Sequence, residues 1–378
     1  MWVVPPLAIL LAVPLYQGSR FGGRAEDDDG NNPIMIVPSR AFSGGEIALG
    51  DLAHALDRAR PDGALHDVSS TLHMLRLWGP TSAYGMRTLA CLMNNDLFVQ
   101  TYHSRNPWIV ETRYGARFAA ADARVSKQDA FYEPHPGYTL SVFAEIGVPL
   151  TQVIQTSEGK SHLRNIADDL IANYSDITER DWLVMALALY LPPQTKWENK
   201  FGELFSFDSE VSKLVGRPLG EGSACSGTHT LHTLGVVVQA DGQRRILTER
   251  MRDLARGYLR QARDRLVSSQ GLDGSWNSHW SEGRLNAAED RSSQSIPNDE
   301  IHITGHILEW LSITPSDLGI PQEPLKKAVL YVCRTVARSD SSEINRQPCD
   351  YLHGIRAACL LSGIRPTEPD ARIQVRSR

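Results

Sequence analysis

The chain has 378 residues, of which 42% are hydrophobic, and a formal net charge of -5 at pH 7. This length and composition suffice for a large buried core. They exclude a strongly basic nucleic-acid-binding protein, so we expect no nucleic-acid partner. The five cysteines are odd in number and form no Cys-x-x-Cys pair, which argues against a disulfide framework.

The first predicted element is an apolar segment at residues 2–16. Its length is typical of the hydrophobic region of a signal peptide and short for a membrane span. We therefore expect residues 1–19 to act as a signal peptide or an N-terminal membrane anchor, and the protein to be exported, periplasmic or membrane-anchored. No Lys or Arg precedes the segment, so a disordered apolar start is the alternative. Residues 20–46, rich in Gly, Asp and Asn, are predicted to be a linker.

Helical patterns dominate residues 47–366, and residues 367–378 are predicted to be a polar tail. Apolar residues recur at three- and four-residue spacing, whereas alternating β-branched residues are scarce. We therefore expect an all-α domain with few or no strands. The clearest predicted helices cover residues 51–58, 162–174, 181–190, 246–267, 305–313 and 324–338.

A six-residue pattern recurs six times along this domain. Each copy starts with a polar residue and has apolar residues at its third and sixth positions, and the third is Leu or Ile in every copy. Successive copies start 43 to 77 residues apart, which fits one helix pair per repeat. The copies begin at His73, Tyr138, Asp181, His229, His306 and His353.

The pattern places polar and apolar residues on opposite faces of each helix, since its first and fourth positions share one face and its third and sixth the other. The apolar face would pack on an outer helix, while polar groups cannot lie in a dry core without partners. We therefore predict six inner helices around a shared wet cavity, closing an α/α toroid (an α6-α6 double-walled barrel). Candidate substrate-binding residues on the polar face are His73, Arg76, His232, Glu309 and Arg356.

One motif resembles a known family. Residues 270–276 read QGLDGSW, which resembles the Gln-Trp motif of the terpenoid cyclase and protein prenyltransferase superfamily. The resemblance implies a toroid of helix pairs over roughly residues 50–365, with Gln270 capping a helix start and Trp276 packing beside it. The sequence lacks the Asp-x-Asp-Asp motif of squalene-type cyclases and the Asp-x-Cys motif of the prenyltransferases. The resemblance thus implies a fold and a cavity, and we carry over neither activity.

The last three copies of the pattern have a Cys or His four residues before their first position. This i,i+4 spacing puts two side chains on one side of a helix, and thiolate and imidazole are ligands that zinc favours. We predict a metal site, with zinc as the preferred ion and Asp299 and Glu300 as acceptors that orient an imidazole. The alternative is that the cysteines are small buried hydrophobes and the histidines are hydrogen-bonded lining residues. The predicted ligand pairs are Cys225 with His229, His302 with His306, and Cys349 with His353.

Without a metal, the same polar face offers acid–base chemistry, because imidazoles exchange protons near neutral pH. Arg76 and Arg356 would hold a carboxylate or phosphate, and Trp280, in a predicted polar loop, would stack on a sugar ring. Our leading hypothesis is an enzyme acting on a carbohydrate or another anionic small molecule. The alternatives are a non-catalytic binding scaffold and a diverged isoprenoid enzyme with an apolar cavity wall. The candidate proton-transfer residues are Tyr138, Asp181, His229, His306 and His353.

Overall fold

The computed structural model describes residues 31–39, 41–42, 49–61, 67–102, 106–119, 132–175, 180–191, 194–220, 223–283, 299–364 and 366. The predicted N-terminal anchor at residues 1–19 and the predicted polar tail at residues 367–378 lie outside these ranges. Within them, no helix combines the length and the apolar character needed to cross a bilayer.

The described part of the chain is mostly helical, as predicted. The helices are α1 (Leu49–Arg58), α2 (Val68–Trp78), α3 (Ala83–Met93), α4 (Asn95–Tyr102), α5 (Tyr138–Glu145), α6 (Leu163–Ala172), α7 (Asp181–Tyr190), α8 (Phe207–Val215), α9 (Thr228–Arg244), α10 (Glu249–Ser269), α11 (Asp299–Ile313), α12 (Gln322–Arg338), α13 (Ser341–Arg346) and α14 (Pro348–Leu361). Side-chain caps start several of them, since Asp67, Ser82 and Thr248 each accept a hydrogen bond from a first-turn N–H.

Within the described ranges the strands are short, and they form three separate antiparallel hairpins. Each hairpin lies in a connection between helices, so none of them interrupts the helical order. The strands are β1 (Ile109–Thr112) with β2 (Gly115–Phe118), β3 (Val153–Gln155) with β4 (Lys160–His162), and β5 (Lys196–Glu198) with β6 (Leu204–Ser206).

Six helices pack in a closed cycle of contacts. In this cycle α2 contacts α5, α5 contacts α7, α7 contacts α9, α9 contacts α11, α11 contacts α14, and α14 contacts α2. These six helices carry the six copies of the sequence pattern, in the same order. Other helices pack against this set: α3 on α2, α8 on α7 and α9, α10 on α9, α12 on α11 and α14, and α1 on α12 and α14.

The six cyclically packed helices are buried on nearly all sides. Every residue of α7 is buried, as are the first seven residues of α5. Helices that are apolar all round belong in the interior of a large protein, whereas amphipathic helices such as α10 have a solvent-facing side. The polar residues of the six helices are therefore enclosed by protein and must find partners among themselves.

Part of the predicted linker is packed against the helices. Residues 31–39 run in extended form, and the N–H groups of Ile34 and Ser39 donate to carbonyls at the ends of α7 and α11. The side chains of Ile34 and Phe42 are buried in the core. This segment thus connects the C-terminal ends of α7 and α11.

Candidate metal centre

Among the described residues, seven His and Cys side chains converge near the end of the cycle where α9, α11 and α14 begin, and the carboxylate of Glu309 adjoins them. All six metal ligands predicted from the sequence belong to this set, and His73, predicted to bind substrate, joins them. We call these seven residues the His/Cys cluster. Its members are His73, Cys225, His229, His302, His306, Cys349 and His353.

The cluster is compact enough to hold metal ions. The Nε2 atoms of His73 and His353 lie 2.9 Å apart, and Cys349 Sγ lies 3.8 Å from His353 Nε2. The ring of His306 is 3.8 Å from that of His353 and 5.3 Å from that of His229, measured between centroids. Several groups of three ligand atoms have all their members within 4.8 Å of one another.

A close approach of two helices brings these rings together. Gly305 on α11 faces Gly354 on α14, and a Cβ on Gly305 would lie only 3.0 Å from the Gly354 nitrogen. A side chain at Gly305 would push the two helices apart, and a side chain at Gly354 would clash first with Val332 on α12. The rings of the neighbouring residues, His306 and His353, therefore lie 3.8 Å apart, with their planes tilted by 33°.

Cys225 reaches the cluster from a strained turn and not from a helix. It precedes α9, and its φ of 43° and the φ of 55° at Ser226 are both left-handed. Such backbone is unfavourable for side chains other than glycine and persists when the surroundings impose it. Here the Ser226 carbonyl accepts hydrogen bonds from the Gly220 N–H and the Trp280 indole. The i,i+4 interpretation of Cys225 and His229 is thus wrong in its geometry, although both residues reach the same place.

Oxygen acceptors orient three of the imidazoles. His302 Nδ1 lies 3.0 Å from Asp350 Oδ1, and His353 Nδ1 lies 2.6 Å from Glu309 Oε2. His73 Nδ1 lies 2.6 Å from the Ser69 carbonyl oxygen. Each of these three rings therefore presents Nε2 to the cluster, as metal-binding histidines do.

The carboxylates predicted to orient the imidazoles are not the ones that do so. Asp299 accepts hydrogen bonds from the backbone N–H and the hydroxyl of Ser278. Asp350 and Glu309 take the predicted role instead. They are far from their imidazole partners in sequence, 48 and 44 residues respectively. Local spacing therefore could not reveal them.

The surroundings of both thiols favour the thiolate. Burial by itself raises the pKa of the Cys225 thiol, but the imidazoles of His306 and His229 outweigh burial and hold that pKa well below its ordinary value. At Cys349 burial is likewise outweighed, here by His73 and by hydrogen bonds from other cluster histidines, so its pKa is also well below the ordinary value. Because the thiolate is the form that binds metal ions, both cysteines are suited to be ligands.

A buried layer of charges lies next to the cluster, toward the other end of the helices. Glu145 pairs with Arg76 at 2.6 Å and with Arg356 at 3.5 Å. Glu309 pairs with the same two guanidiniums, at 3.0 Å and 2.8 Å. Burial raises the pKa of both carboxyls, but the two guanidiniums outweigh it and keep those pKa values well below the usual range. His232 adds a contact of 3.2 Å to Glu145.

This layer changes the interpretation of two predicted anion-binding residues. The guanidiniums of Arg76 and Arg356 face two carboxylates of the chain itself, so that two positive charges are balanced by two negative ones. Glu145 was missed because it lies two residues beyond the end of the six-residue pattern in α5. It lies seven residues after Tyr138, and this i+7 spacing on the polar face is the signal that could have identified it.

Two further sequence candidates differ in their position. The Tyr138 hydroxyl lies 3.4 Å from His73 Nε2, so Tyr138 borders the cluster. Asp181 instead pairs with Arg217 at 2.9 Å and accepts a hydrogen bond from Thr230. The residue of α7 that faces the cluster is Trp182, whose ring lies 5.0 Å from that of His229. Since α7 is apolar and buried all round, the pattern could not fix its rotation.

Trp280 is not available to stack on a sugar. Its side chain is 0% exposed, and its indole N–H donates to the Ser226 carbonyl. The expectation of an exposed loop aromatic is therefore wrong, because Trp280 packs inside and supports the turn that carries Cys225. The polar neighbours in the sequence had suggested exposure.

The Gln-Trp-like segment is structural, as expected, but Gln270 does not cap a helix start. It follows the last residue of α10, and its amide donates to the carbonyls of Gly274 and Pro324. Trp276 is fully buried, and its indole donates to the carbonyl of Leu266 in the last turn of α10. The segment therefore joins the end of α10 to the first turn of α12.

Sequence reasoning also missed His135, whose ring lies 5.3 Å from that of His229. It precedes α5 in a stretch without helical periodicity, so no pattern pointed to it.

We compared the chain with models of protein families, with curated proteins and with solved structures. It gives no match in any of the three comparisons.

Proposed function

We propose that the protein is a metal-dependent enzyme built as an α/α toroid. In this proposal α2, α5, α7, α9, α11 and α14 form the inner ring, and the other helices form the outer wall. The closed cycle of contacts among these six helices supports the arrangement, as does the packing of α1, α3, α8, α10 and α12 against them. The metal centre lies where the inner helices begin.

The observation that carries the proposal is the convergence of imidazoles and thiols, with the second ring nitrogen of two imidazoles already hydrogen-bonded to a carboxylate. His302 and His353 are hydrogen-bonded through Nδ1 to carboxylates and present Nε2 to two cysteines. Carboxylate–histidine–metal arrangements of this kind are typical of zinc sites. Thiolate and imidazole together favour zinc over hard ions such as magnesium or calcium.

The geometry leaves one side of the cluster open. The side chain of His302 is 22% exposed, and Cys225 and Cys349 are partly exposed, whereas the other four members are buried. A small polar molecule or water approaching from this side reaches the ligand atoms first. A zinc ion there would polarise that oxygen or activate the water. The proposed substrate is a carbohydrate or another small polar molecule. Arg76 and Arg356 were expected to bind an anionic substrate, but both are paired with carboxylates of the chain, so nothing further favours a negatively charged one.

The first experiment measures metal content and affinity. Protein purified without chelator should contain zinc in stoichiometric amount by elemental analysis. Asp350→Ala should weaken zinc binding by about 10- to 100-fold, because the orienting acceptor of His302 is lost. Asp299→Ala is the matched control and should keep the wild-type affinity, because Asp299 contacts Ser278. The proposal fails if the protein contains no stoichiometric zinc, iron or nickel and binds none when these metals are added.

A specific observation favours a second candidate function, a metal-stabilised scaffold without catalysis. The interior next to the cluster contains two arginines and two glutamates whose charges balance one another, so it needs no charged ligand. Structural zinc sites are closed by four protein ligands, whereas catalytic sites keep an open position. Azide added to the cobalt-substituted protein distinguishes the two, since it changes the visible spectrum only where it can bind the ion. An unchanged spectrum favours the scaffold.

Two sequence-based proposals remain beside this one. Export or anchoring through residues 1–19 is tested by fractionating cells that produce a tagged chain, and a purely cytosolic, unanchored protein would contradict it. A diverged isoprenoid enzyme would require an apolar cavity wall. The charged residues that α2, α5, α11 and α14 contribute to the interior argue against that alternative.

A further inference from the structure

The His/Cys cluster contains more ligands than one ion can use. A tetrahedral zinc ion takes four, and the cluster has seven members. Two groups of three share no residue, and within each group all ligand atoms lie within 4.8 Å of one another. The first group is Cys225, His229 and His306, and the second is His73, Cys349 and His353.

The second group brings two imidazole nitrogens within 2.9 Å of each other. His73 Nδ1 faces a carbonyl oxygen, and His353 Nδ1 faces the ionised carboxylate of Glu309, so both Nδ1 atoms must be the donors. When the rings are neutral, both Nε2 atoms therefore carry lone pairs, and these atoms lie 2.9 Å apart. Two lone pairs at this distance repel, so either one Nε2 gains a proton and donates it to the other in a hydrogen bond, or a metal ion lies beside both nitrogens.

The distances in this group suit a metal ion. Zn–N bonds of about 2.0–2.1 Å and a Zn–S bond of about 2.3 Å place tetrahedral ligands about 3.3–3.6 Å from one another. The distances in the protein are 2.9 Å between the two nitrogens and 3.8 Å between His353 Nε2 and the Cys349 sulfur. Shifts of a few tenths of an ångström would bring these two distances to tetrahedral values, and the third pair of ligand atoms lies within 4.8 Å.

The first group is held by a different part of the fold. Its cysteine comes from the left-handed turn before α9, and that turn is fixed by hydrogen bonds to the Ser226 carbonyl. His302 hydrogen-bonds with both Cys225 and Cys349, so it lies between the two groups. Its Nε2 can complete the coordination of either ion, while Asp350 holds its Nδ1.

We propose that the His/Cys cluster binds two metal ions. This inference rests on the metal-dependent function proposed above. One zinc-class ion binds to Cys225, His229 and His306, and a second binds to His73, Cys349 and His353. Each ion has one thiolate and two imidazoles, and His302 lies between them. Paired ions of this kind position and polarise a substrate oxygen from both sides.

The test is a titration of the full-length, metal-stripped protein with cobalt(II), followed through the near-ultraviolet charge-transfer band of the thiolate–cobalt bond. We expect saturation at about two equivalents in the wild type. His73→Ala and His229→Ala should each saturate at about one. Cys225→Ser and Cys349→Ser should each lose about half of the band, because each ion has one thiolate. Cys359→Ala is the matched control, since Cys359 lies on α14 away from the cluster, and it should keep both equivalents.

The outcomes separate the two proposals. Saturation of the wild type at one equivalent overturns the two-ion centre and leaves a single metal site. An undiminished band in either serine variant also overturns it, because that cysteine would not be a ligand. Absence of binding removes the metal function altogether. The wild-type stoichiometry needs no variant to fold, so the inference can be refuted even if a substitution destabilises the protein.

Discussion

Glu309 is one of the two carboxylates in the buried charge layer, and replacing it with Gln removes one of the two negative charges of that layer. Its carboxylate lies 2.8 Å from Arg356, 3.0 Å from Arg76 and 2.6 Å from His353 Nδ1. In Glu309→Gln, two guanidiniums would share only Glu145. One positive charge would then be buried without a partner.

The expected effect is large because the groups are buried. The Glu309 side chain is 2% exposed, and those of Arg76 and Arg356 are 1% and 13% exposed. Removing one partner from a buried ion pair destabilises a protein by about 3 to 5 kcal/mol, because the remaining charge loses its compensation. A typical protein has a total free energy of unfolding of about 5 to 15 kcal/mol. Glu309→Gln should therefore lose a large share of its stability.

Urea denaturation measures this loss, with chelator present so that metal binding does not contribute. The double variant Glu309→Gln/Arg356→Gln restores the balance of charge, so it should be more stable than the sum of the two single changes by at least about 1 kcal/mol. Asp317→Asn is the surface control. It breaks an exposed pair with Arg256 and should lose less than about 1 kcal/mol. A loss at Glu309 as small as at Asp317, or strict additivity in the double variant, would refute the reasoning.

Three further predictions follow from the same structure. Removing the metal with a chelator should lower the free energy of unfolding by about 3 kcal/mol for each site, where the free metal concentration before chelation was about 100 times the Kd of that site. The loss is measured as a fall in Tm. Burial raises the pKa of Glu133 to about 7, against the hydrogen bond from the Thr139 N–H. The folded state therefore binds this proton more tightly than the unfolded chain does, and the stability it contributes is complete below about pH 4 and lost as pH rises through 7. Because Glu133 is partly exposed, we expect wild type to lose about 1 to 3 kcal/mol relative to Glu133→Gln between pH 4.5 and 8 in urea denaturation, and parallel pH profiles would contradict this. A Cβ at Gly354 would lie 2.6 Å from Val332 on α12, so Gly354→Ala should lose about 1 to 3 kcal/mol, whereas Gly257→Ala on α10, with open space around it, should gain about 0.5 to 1 kcal/mol; equal effects on Tm would count against the close packing of α12 and α14.

Local patterns were enough to find the six helices and most of the cluster. The apolar third position and polar first position of each copy report which side of a helix is enclosed, and that information is contained within six residues. The i,i+4 pairs His302–His306 and Cys349–His353 lie on single helices, so the fixed helical geometry brings them together without knowledge of the fold. The same logic misplaced α7, where a helix apolar on all sides contains no signal for its rotation.

Loop residues were harder to place from the sequence. The polar neighbours of Trp280 in the sequence suggested that it is exposed, yet its ring is fully buried and its indole N–H donates to the Ser226 carbonyl. His135 and Cys225 lie outside the helices, where side-chain direction follows from backbone angles and not from a period. The left-handed turn at Cys225 has non-glycine residues at two positive-φ positions, so the usual sequence signal for such a turn is missing.

The sequence by itself determined the helical class, the order of the repeats and the residue types of the cluster, because these depend on short-range periodicity. Only the tertiary structure decided which groups meet, since His73 and His353 are 280 residues apart and Arg76 and Glu145 are 69 apart. Pairing across such separations depends on how whole helices pack, to a precision of less than an ångström. The tertiary structure therefore also decided the tautomers of the cluster histidines, the carboxylates that orient them, and the balance of charge in the layer next to the cluster.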